Sequence, residues 1–212
     1  MPVTPKNKIA IFGCGGHARS VADVILDSGD EIECFFDKMS QDEEKIFNIP
    51  CLKSDDIISS TEVWHVALGD AEQRRIAAQQ LISLGKQVVS VCSERAYLGK
   101  EAFLGQGVFI AHGAHIGPLS SIGDLTIINT GAVVEHEVVI GRCCHVSINS
   151  VVAGRAKIGD NVFVGAGAVI RDGVSVCGNV TLGAGAVVAK DILEPGIYVG
   201  IPCVRSGEAS PA

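Results

Sequence analysis

The stretch "VGAGAVIRDGVSVCGNVTLGAGAV", residues 164–187, decides the fold. An aliphatic residue recurs at every sixth place: Val164, Ile170, Val176 and Leu182. The fifth place of each six is small or β-branched: Ala168, Val174, Val180 and Ala186. Simple alternation describes an ordinary strand, whose side chains repeat every two residues. A six-residue beat with one aliphatic and one small inward place describes something else: a short strand, a turn, and a new strand at an angle. Such a unit cannot close a core alone, so copies stack and each coil buries its aliphatics against the next.

The same register runs without insertion from Leu98 to Leu193, sixteen hexads from LGKEAF to VAKDIL. Leu, Ile or Val fills the first place throughout, and Gly often fills the second. Gly and Asn recur at turn places, where positive φ costs them little. Gly numbers 25 while aromatics make up only 5%, which fits a core of small aliphatic layers.

Residues 1–91 follow a different beat. "KIAIFG" predicts a buried strand, and "GCGGHARSVADVILDSG" a glycine turn leading into an amphipathic helix with Val21, Val24 and Ile25 on one face. "EIECFFDK" and "VWHVALGD" predict strands, "AEQRRIAAQQLISLG" a helix that stops at Gly85, and "QVVSV" a last strand. Alternating strand and helix signals predict a small parallel α/β domain, half of a dinucleotide-binding fold. The expected layout is therefore an α/β domain over 1–91, the repeat over 92–193, and a C-terminal tail over 194–212 with 206–212 frayed.

The glycine turn reads G-x-G-x-x-A at Gly13, Gly15 and Ala18, and Asp37 closes the next strand. In that pattern backbone N–H groups and a helix N-terminus hold phosphate oxygens. So short a domain lacks the second half that a complete NAD site needs, which disfavours an oxidoreductase module. The UDP or GDP of an activated sugar fits the size. The alternative is a tight strand-to-helix turn with no ligand.

Bulk properties narrow the field further. Net charge is −7 over 212 residues, and no basic cluster exceeds Arg74-Arg75, so nonspecific nucleic-acid binding is not expected. Mean hydropathy is high at +0.35. No run of apolar residues reaches the length of a membrane span, however, and "MPVTPKNKIAIFG" lacks the apolar segment of a signal peptide. A cytoplasmic protein is expected, with its 8 Cys as free thiols. Neither C-x-x-C nor zinc-ligand Cys/His spacing occurs, so no metal is expected.

The hexads resemble those of the hexapeptide-repeat acyltransferases. Together with "GCGGHA", "FFDK", "ALGD", "INTGAVVEHE", "GRCCHV" and "PGIYVGIP", nearly the whole chain resembles one branch of them. These are sugar acetyltransferases that pair a small G-x-G-G-H domain with an uninterrupted β-helix. They comprise NeuD-like sialic acid O-acetyltransferases, PglD-like bacillosamine N-acetyltransferases and perosamine N-acetyltransferases. The "EHE" context is most similar to the PglD-like enzymes. The resemblance implies an all-β left-handed parallel β-helix of about five coils, with three hexads to each triangular coil. It also implies a homotrimer with acetyl-CoA in grooves between the prisms, and a nucleotide sugar held by the front domain.

Site roles follow from the same resemblance. Acyl transfer from CoA needs a base for the acceptor and a stabiliser for the oxyanion. The general base falls on His136 and its orienting carboxylate on Glu137; otherwise His136 is a solvated turn histidine. His145 and Asn129 fall at the thioester end of acetyl-CoA; otherwise His145 packs at a subunit seam. Gly154, one coil beyond His136, supplies the oxyanion N–H, and Ala166 and Ala184 flank the pantetheine. Gly15, Gly16, His17, Asp37, Lys38 and Gly69 line the nucleotide-sugar pocket. Half a coil separates His136 from His145, so within one chain they face different sides of the prism. His112 and His115 read as surface or interface residues, His65 as structural and Cys144 as core. Cys143 near His145 keeps an acyl-cysteine route conceivable, although the family transfers directly. "PGIYVGIPCVR" departs from the family ending at Cys203 and Val204, leaving Arg205 one place late for the CoA phosphates.

The activity implied is acetyl-CoA-dependent N-acetylation of a nucleotide-linked 4-amino-4,6-dideoxy sugar of the UDP-bacillosamine type. Within the class the alternatives are O-acetylation of sialic acid and acetylation of GDP-perosamine. Outside it stands a noncatalytic nucleotide-sugar-binding scaffold.

Overall fold

The computed structural model describes residues 8–208. The expectations for the leader at 1–7 and for fraying at 209–212 lie outside the described residues. The chain divides into two compact units, Met1–Ser93 and Glu94–Ala212. Among the described residues, no helix is long and apolar enough to cross a membrane.

The first unit is an α/β layer. Its strands are β1 (Lys8–Phe12), β2 (Glu31–Phe36), β3 (Lys45–Ile46), β4 (Ile49–Leu52), β5 (Val63–Val66) and β6 (Gln87–Val88). They lie in the order β3-β4-β2-β1-β5-β6, parallel except for the β3–β4 hairpin. The helices are α1 (Gly16–Asp27), α2 (Asp56–Ser60) and α3 (Ala71–Ser83). As the helical spacing predicts, α1 buries Ala18, Val21, Ala22, Val24 and Ile25 in one stripe. Phe36 meets Phe12 edge-on, with ring centroids 4.9 Å apart. His65 is structural: it is fully buried in β5, with Nδ1 2.8 Å from the Val89 carbonyl oxygen. Burial pushes its pKa down to about 4.

Three features differ from expectation. "QVVSV" is not one strand, because β6 ends at Val88 and strand geometry resumes only at Val91–Cys92. The β3–β4 hairpin and α2 carry no strong sequence signal. The hairpin turns through Phe47 and Asn48, both at positive φ, rather than through the Asn-Gly or Asp-Gly pair that marks such turns. The tail from Glu194 to Glu208 is ordered: Gly196–Gly200 adds parallel to Val180–Leu182, and Cys203–Gly207 folds back antiparallel on it. Gly207 is therefore a paired strand residue, opposite Ile197, and Ser206 stands at the bulge beside it.

The second unit is a three-walled parallel coil, the left-handed β-helix of the hexapeptide type. From Tyr97 to Val187 the strands of each wall pair in steps of 18 residues. The first wall carries Ile127, His145, Phe163 and Thr181 in register, the second Tyr97, His115, Val133, Val151, Val169 and Val187, and the third Ser121, Val139, Lys157 and Ser175. First-place aliphatics from Ile110 to Val188 are buried, and so is every fifth-place residue from Val108 to Ile192. Polar residues in the fifth place stay satisfied there. Ser120 Oγ donates to the Glu135 carbonyl at 2.7 Å, and Thr126 Oγ1 to that of Gly141 at 2.9 Å. Cys144 is core as expected, with its Sγ 3.1 Å from the Gly159 carbonyl oxygen. In every hexad but the last the fourth residue has positive φ, whatever its identity. The corner geometry is thus fixed by the coil, and Gly or Asn is only the cheaper occupant.

Candidate active site

His136 and Glu137 occupy the corner after the Val133–Val134 strand of the second wall. Glu137 is the left-handed residue, with φ +59°. That turn brings its Oε2 within 3.1 Å of His136 Nδ1. A carboxylate only accepts, so Nδ1 carries the hydrogen and Nε2 keeps its lone pair. Both side chains are about half exposed, at 44% and 52%.

One coil on, Gly154 lies against the ring. A Cβ on Gly154 would stand 2.6 Å from both Cε1 and Nε2 of His136. Only glycine leaves room for the imidazole to lie across the corner. The Gly154 carbonyl accepts from the Gly173 N–H at 2.9 Å, while its own N–H has no hydrogen-bond partner among the described residues. Two residues that the sequence reading missed complete this corner. Arg155 Nη2 donates to Asp172 Oδ1 and Oδ2 at 2.8 and 2.9 Å. The signal was available, since Asp172 lies 18 residues beyond Gly154 and Arg155 the same distance beyond Glu137.

His145 and Asn129 meet on the first wall. Asn129 Nδ2 lies 3.2 Å from His145 Nε2. The Thr130 N–H donates to Asn129 Oδ1 at 2.8 Å, which fixes the amide with its NH2 toward the ring. Nε2 then accepts and the ring's hydrogen sits on Nδ1. Phe163, one rung on, meets the imidazole edge-on at 5.2 Å. Further along the corner after this wall, Ala166 and Ala184 are both exposed. The glycines beside them, Gly167 and Gly185, have nothing within 4 Å of a would-be Cβ. This corner is bare of side chains longer than a methyl group at those four places. The structure therefore brings His136, Glu137 and Gly154 together on one side of the coil, and Asn129, His145, Ala166 and Ala184 on another.

Of the remaining second-unit candidates, His115 stacks on Tyr97 with centroids 4.9 Å apart. Cys143 and His112 are half-buried. Arg205 is engaged locally, its Nη2 donating to the Pro195 carbonyl at 3.0 Å and pairing with Glu208 at 3.2 Å.

In the first unit the glycine turn is built around Gly13. Its φ is +117°, and a Cβ would fall 2.9 Å from the Ala67 carbonyl oxygen, so only glycine lets β1 and β5 end this close together. Asp37 fastens the turn to the end of β2: its Oδ2 accepts from the Cys14 N–H at 3.1 Å and its Oδ1 from the Met39 N–H at 2.9 Å. The "ALGD" loop is held from below by buried Arg74, which donates to the Leu68 and Gly69 carbonyls at 2.8 and 2.9 Å. Asp70 caps α3 through the Gln73 N–H. Gly15, Gly16 and Gly69 each have nothing within 4 Å of a would-be Cβ. His17, half-buried, stands in the first turn of α1. Lys38 pairs with Asp55 at 2.9 Å on the exposed surface. The side-chain faces of Gly15, Gly16 and Gly69 thus look onto open space, and a helix N-terminus beside such bare positions suits a phosphate group.

Comparison with known proteins extends these observations. Residues 8–81 match the PglD N-terminal domain family model. Residues 137–172 and 155–190 match the bacterial transferase hexapeptide (six repeats) model. PerB from Caulobacter crescentus, solved in complex with CoA and GDP-perosamine, is 30% identical with a TM-score of 0.89 over 95% of this chain and 98% of PerB. The acetyltransferase domain of PglB from Neisseria gonorrhoeae FA1090, solved in complex with acetyl coenzyme A, is 28% identical with a TM-score of 0.89 over 95% of this chain and 100% of that domain.

Proposed function

Because the chain belongs to the PglD-like family of hexapeptide-repeat sugar acetyltransferases, we propose that it moves an acetyl group from acetyl-CoA to the amine of a nucleotide-linked 4-amino-4,6-dideoxy sugar. It is an acetyltransferase, and acetyl-CoA is its co-substrate. The observation that carries the acetyl transfer is the His136–Glu137 pair lying over Gly154, with the hydrogen on Nδ1 and the lone pair on Nε2. His136 Nε2 takes a proton from the acceptor as the nitrogen attacks. Glu137 fixes the ring's tautomer and supports the imidazolium that forms. The Gly154 N–H is the donor available to a developing oxyanion.

Asn129 and His145 hold the thioester end of acetyl-CoA, and the bare corner at Ala166 and Ala184 takes the pantetheine. His136 and His145 stand on different sides of one coil, so they serve one reaction only across a subunit boundary. A homotrimer with sites at its seams meets that need. The nucleotide diphosphate lies at the start of α1 against Gly15, Gly16, His17 and Gly69, near Asp37 and Lys38. The Lys38–Asp55 pair is exposed and holds Lys38 only weakly.

A UDP sugar of the bacillosamine type is the first reading of the acceptor. GDP-perosamine is the second, favoured by the similarity to PerB. The test is a panel assay: acetyl-CoA with UDP- and GDP-linked 4-amino sugars and sialic acid, following thiol release and product mass. Acetylation of one nucleotide-linked amine above the rest is expected. Transfer to sialic acid alone would replace the amine reading with O-acetylation, and no transfer to any acceptor would favour a binding scaffold.

A further inference from the structure

Three successive coils meet at the His136 corner. His136 folds across Gly154 from one side, and Asp172 from the other. The would-be Cβ of Gly154 is 2.6 Å from His136 Nε2 and 3.1 Å from Asp172 Oδ2. Both atoms are thus near one point, and their separation cannot exceed those two distances taken together. A carboxylate oxygen therefore stands on the same corner as the imidazole nitrogen that holds the free lone pair. Arg155 fixes it there by donating from a single nitrogen to both carboxylate oxygens. Asp172, and after it Glu137, holds the Arg155 guanidinium above its ordinary pKa, so Arg155 lies in the field of both carboxylates. Two carboxylates and one guanidinium leave the surroundings of Nε2 net negative.

That charge bears on which acceptor the site uses. An amine of ordinary basicity is largely ammonium at neutral pH, and after attack its nitrogen is again positive until it loses a further proton. A hydroxyl acceptor arrives neutral and turns toward negative as it attacks. A carboxylate beside the base stabilises the first course and opposes the second.

We propose that Asp172, held by Arg155, is a specificity-determining residue that selects an amine over a hydroxyl acceptor by receiving the acceptor ammonium beside His136. The inference rests on the acetyl-transfer reading given above. Asp172 accepts a charge-assisted hydrogen bond from R–NH3+, and His136 Nε2 removes one proton to free the nitrogen lone pair. The nitrogen attacks the thioester carbonyl carbon to give the tetrahedral oxyanion, and the C–S bond breaks as that intermediate collapses. Of the two protons the ammonium loses, one goes to the departing thiolate and one to solvent. The products are the amide, CoA thiol and H+.

The test uses the full chain with acetyl-CoA and matched acceptors: UDP- and GDP-linked 4-amino-4,6-dideoxy sugars and their 4-hydroxy counterparts. The hydroxy sugars are followed both as acceptors and as competitive inhibitors. Asp172→Asn is expected to lower kcat/KM for the amine by about tenfold or more while the inhibition constant of the hydroxy sugar stays put. Asp172→Glu, which keeps the charge, is expected to retain most of the amine preference, with thermal midpoints unchanged in both variants. An Asp172→Asn enzyme that weakens amine and hydroxy sugar alike, or neither, overturns the proposal and leaves the amine acetyltransferase reading intact. A wild-type chain that acetylates no amino sugar overturns that reading, and this inference with it.

Discussion

At the residue scale, the proposed site turns on a histidine whose neighbours are set by the coil rather than by local preference. Glu137 occupies a left-handed corner place that Gly or Asn would fill at less cost. Glu137→Gly is expected to relieve about 1 kcal/mol of backbone strain while removing the carboxylate from His136. Denaturant unfolding should show equal or higher stability, and initial rates a clear fall in kcat. An unchanged kcat would free His136 from Glu137. Gly154→Ala tests the same corner from below. Gly154 does not need a positive φ, but its new Cβ would lie 2.6 Å from the imidazole, so the ring must move. A drop in kcat of about tenfold or more is expected with little change in thermal midpoint. His136 and Glu137 were legible in the sequence because they are adjacent. Arg155 and Asp172 were not singled out, because their meaning appears only when residues 18 apart are stacked.

At the scale of elements, the sixfold beat specified its own coil almost completely, since every coil repeats the same burial demand. The first unit was legible where its helix and strand periods were long, as in α1 and β2. It was not legible at the β3–β4 hairpin, whose two-residue strand is too short to show a period and whose Phe47-Asn48 turn takes its geometry from tertiary context. The ordered C-terminal hairpin was missed for a similar reason. Exposed residues such as Ile201 and Val204 give it no amphipathic signature. Strand β5 carries a pH prediction. Folding keeps His65 neutral, with its pKa lowered from 6.5 to about 4. Below pH 6.5 the unfolded chain takes up a proton that the folded unit refuses. Stability of the first unit is therefore full above that pH and falls as pH drops through the window toward 4, by about 3 kcal/mol across it. Urea unfolding of the full chain followed by fluorescence of Trp64, the lone tryptophan, should show this slope, and His65→Asn should flatten it.

At the scale of the whole molecule, the two histidine centres lie on different walls of one coil, so the proposed reaction joins two copies of the chain. Mixing His136→Ala and His145→Ala chains by unfolding and refolding should therefore restore activity that neither has alone. Random assembly into trimers would rebuild about a quarter of the sites. No restoration would place the whole reaction within one chain. The resemblance across nearly the full length made the family legible from sequence. The acceptor stayed open, because the residues proposed to face it lie on corners where the repeat demands nothing of a side chain.

Whether His136 is the base is read from the rate of CoA thiol release with a nucleotide-linked 4-amino sugar, for the wild type and for His136→Ala. Acceptor-dependent release by the wild type is expected, with a fall of about 10²–10⁴-fold in kcat for the variant at the same thermal midpoint. A variant that keeps near-wild-type kcat would contradict that role.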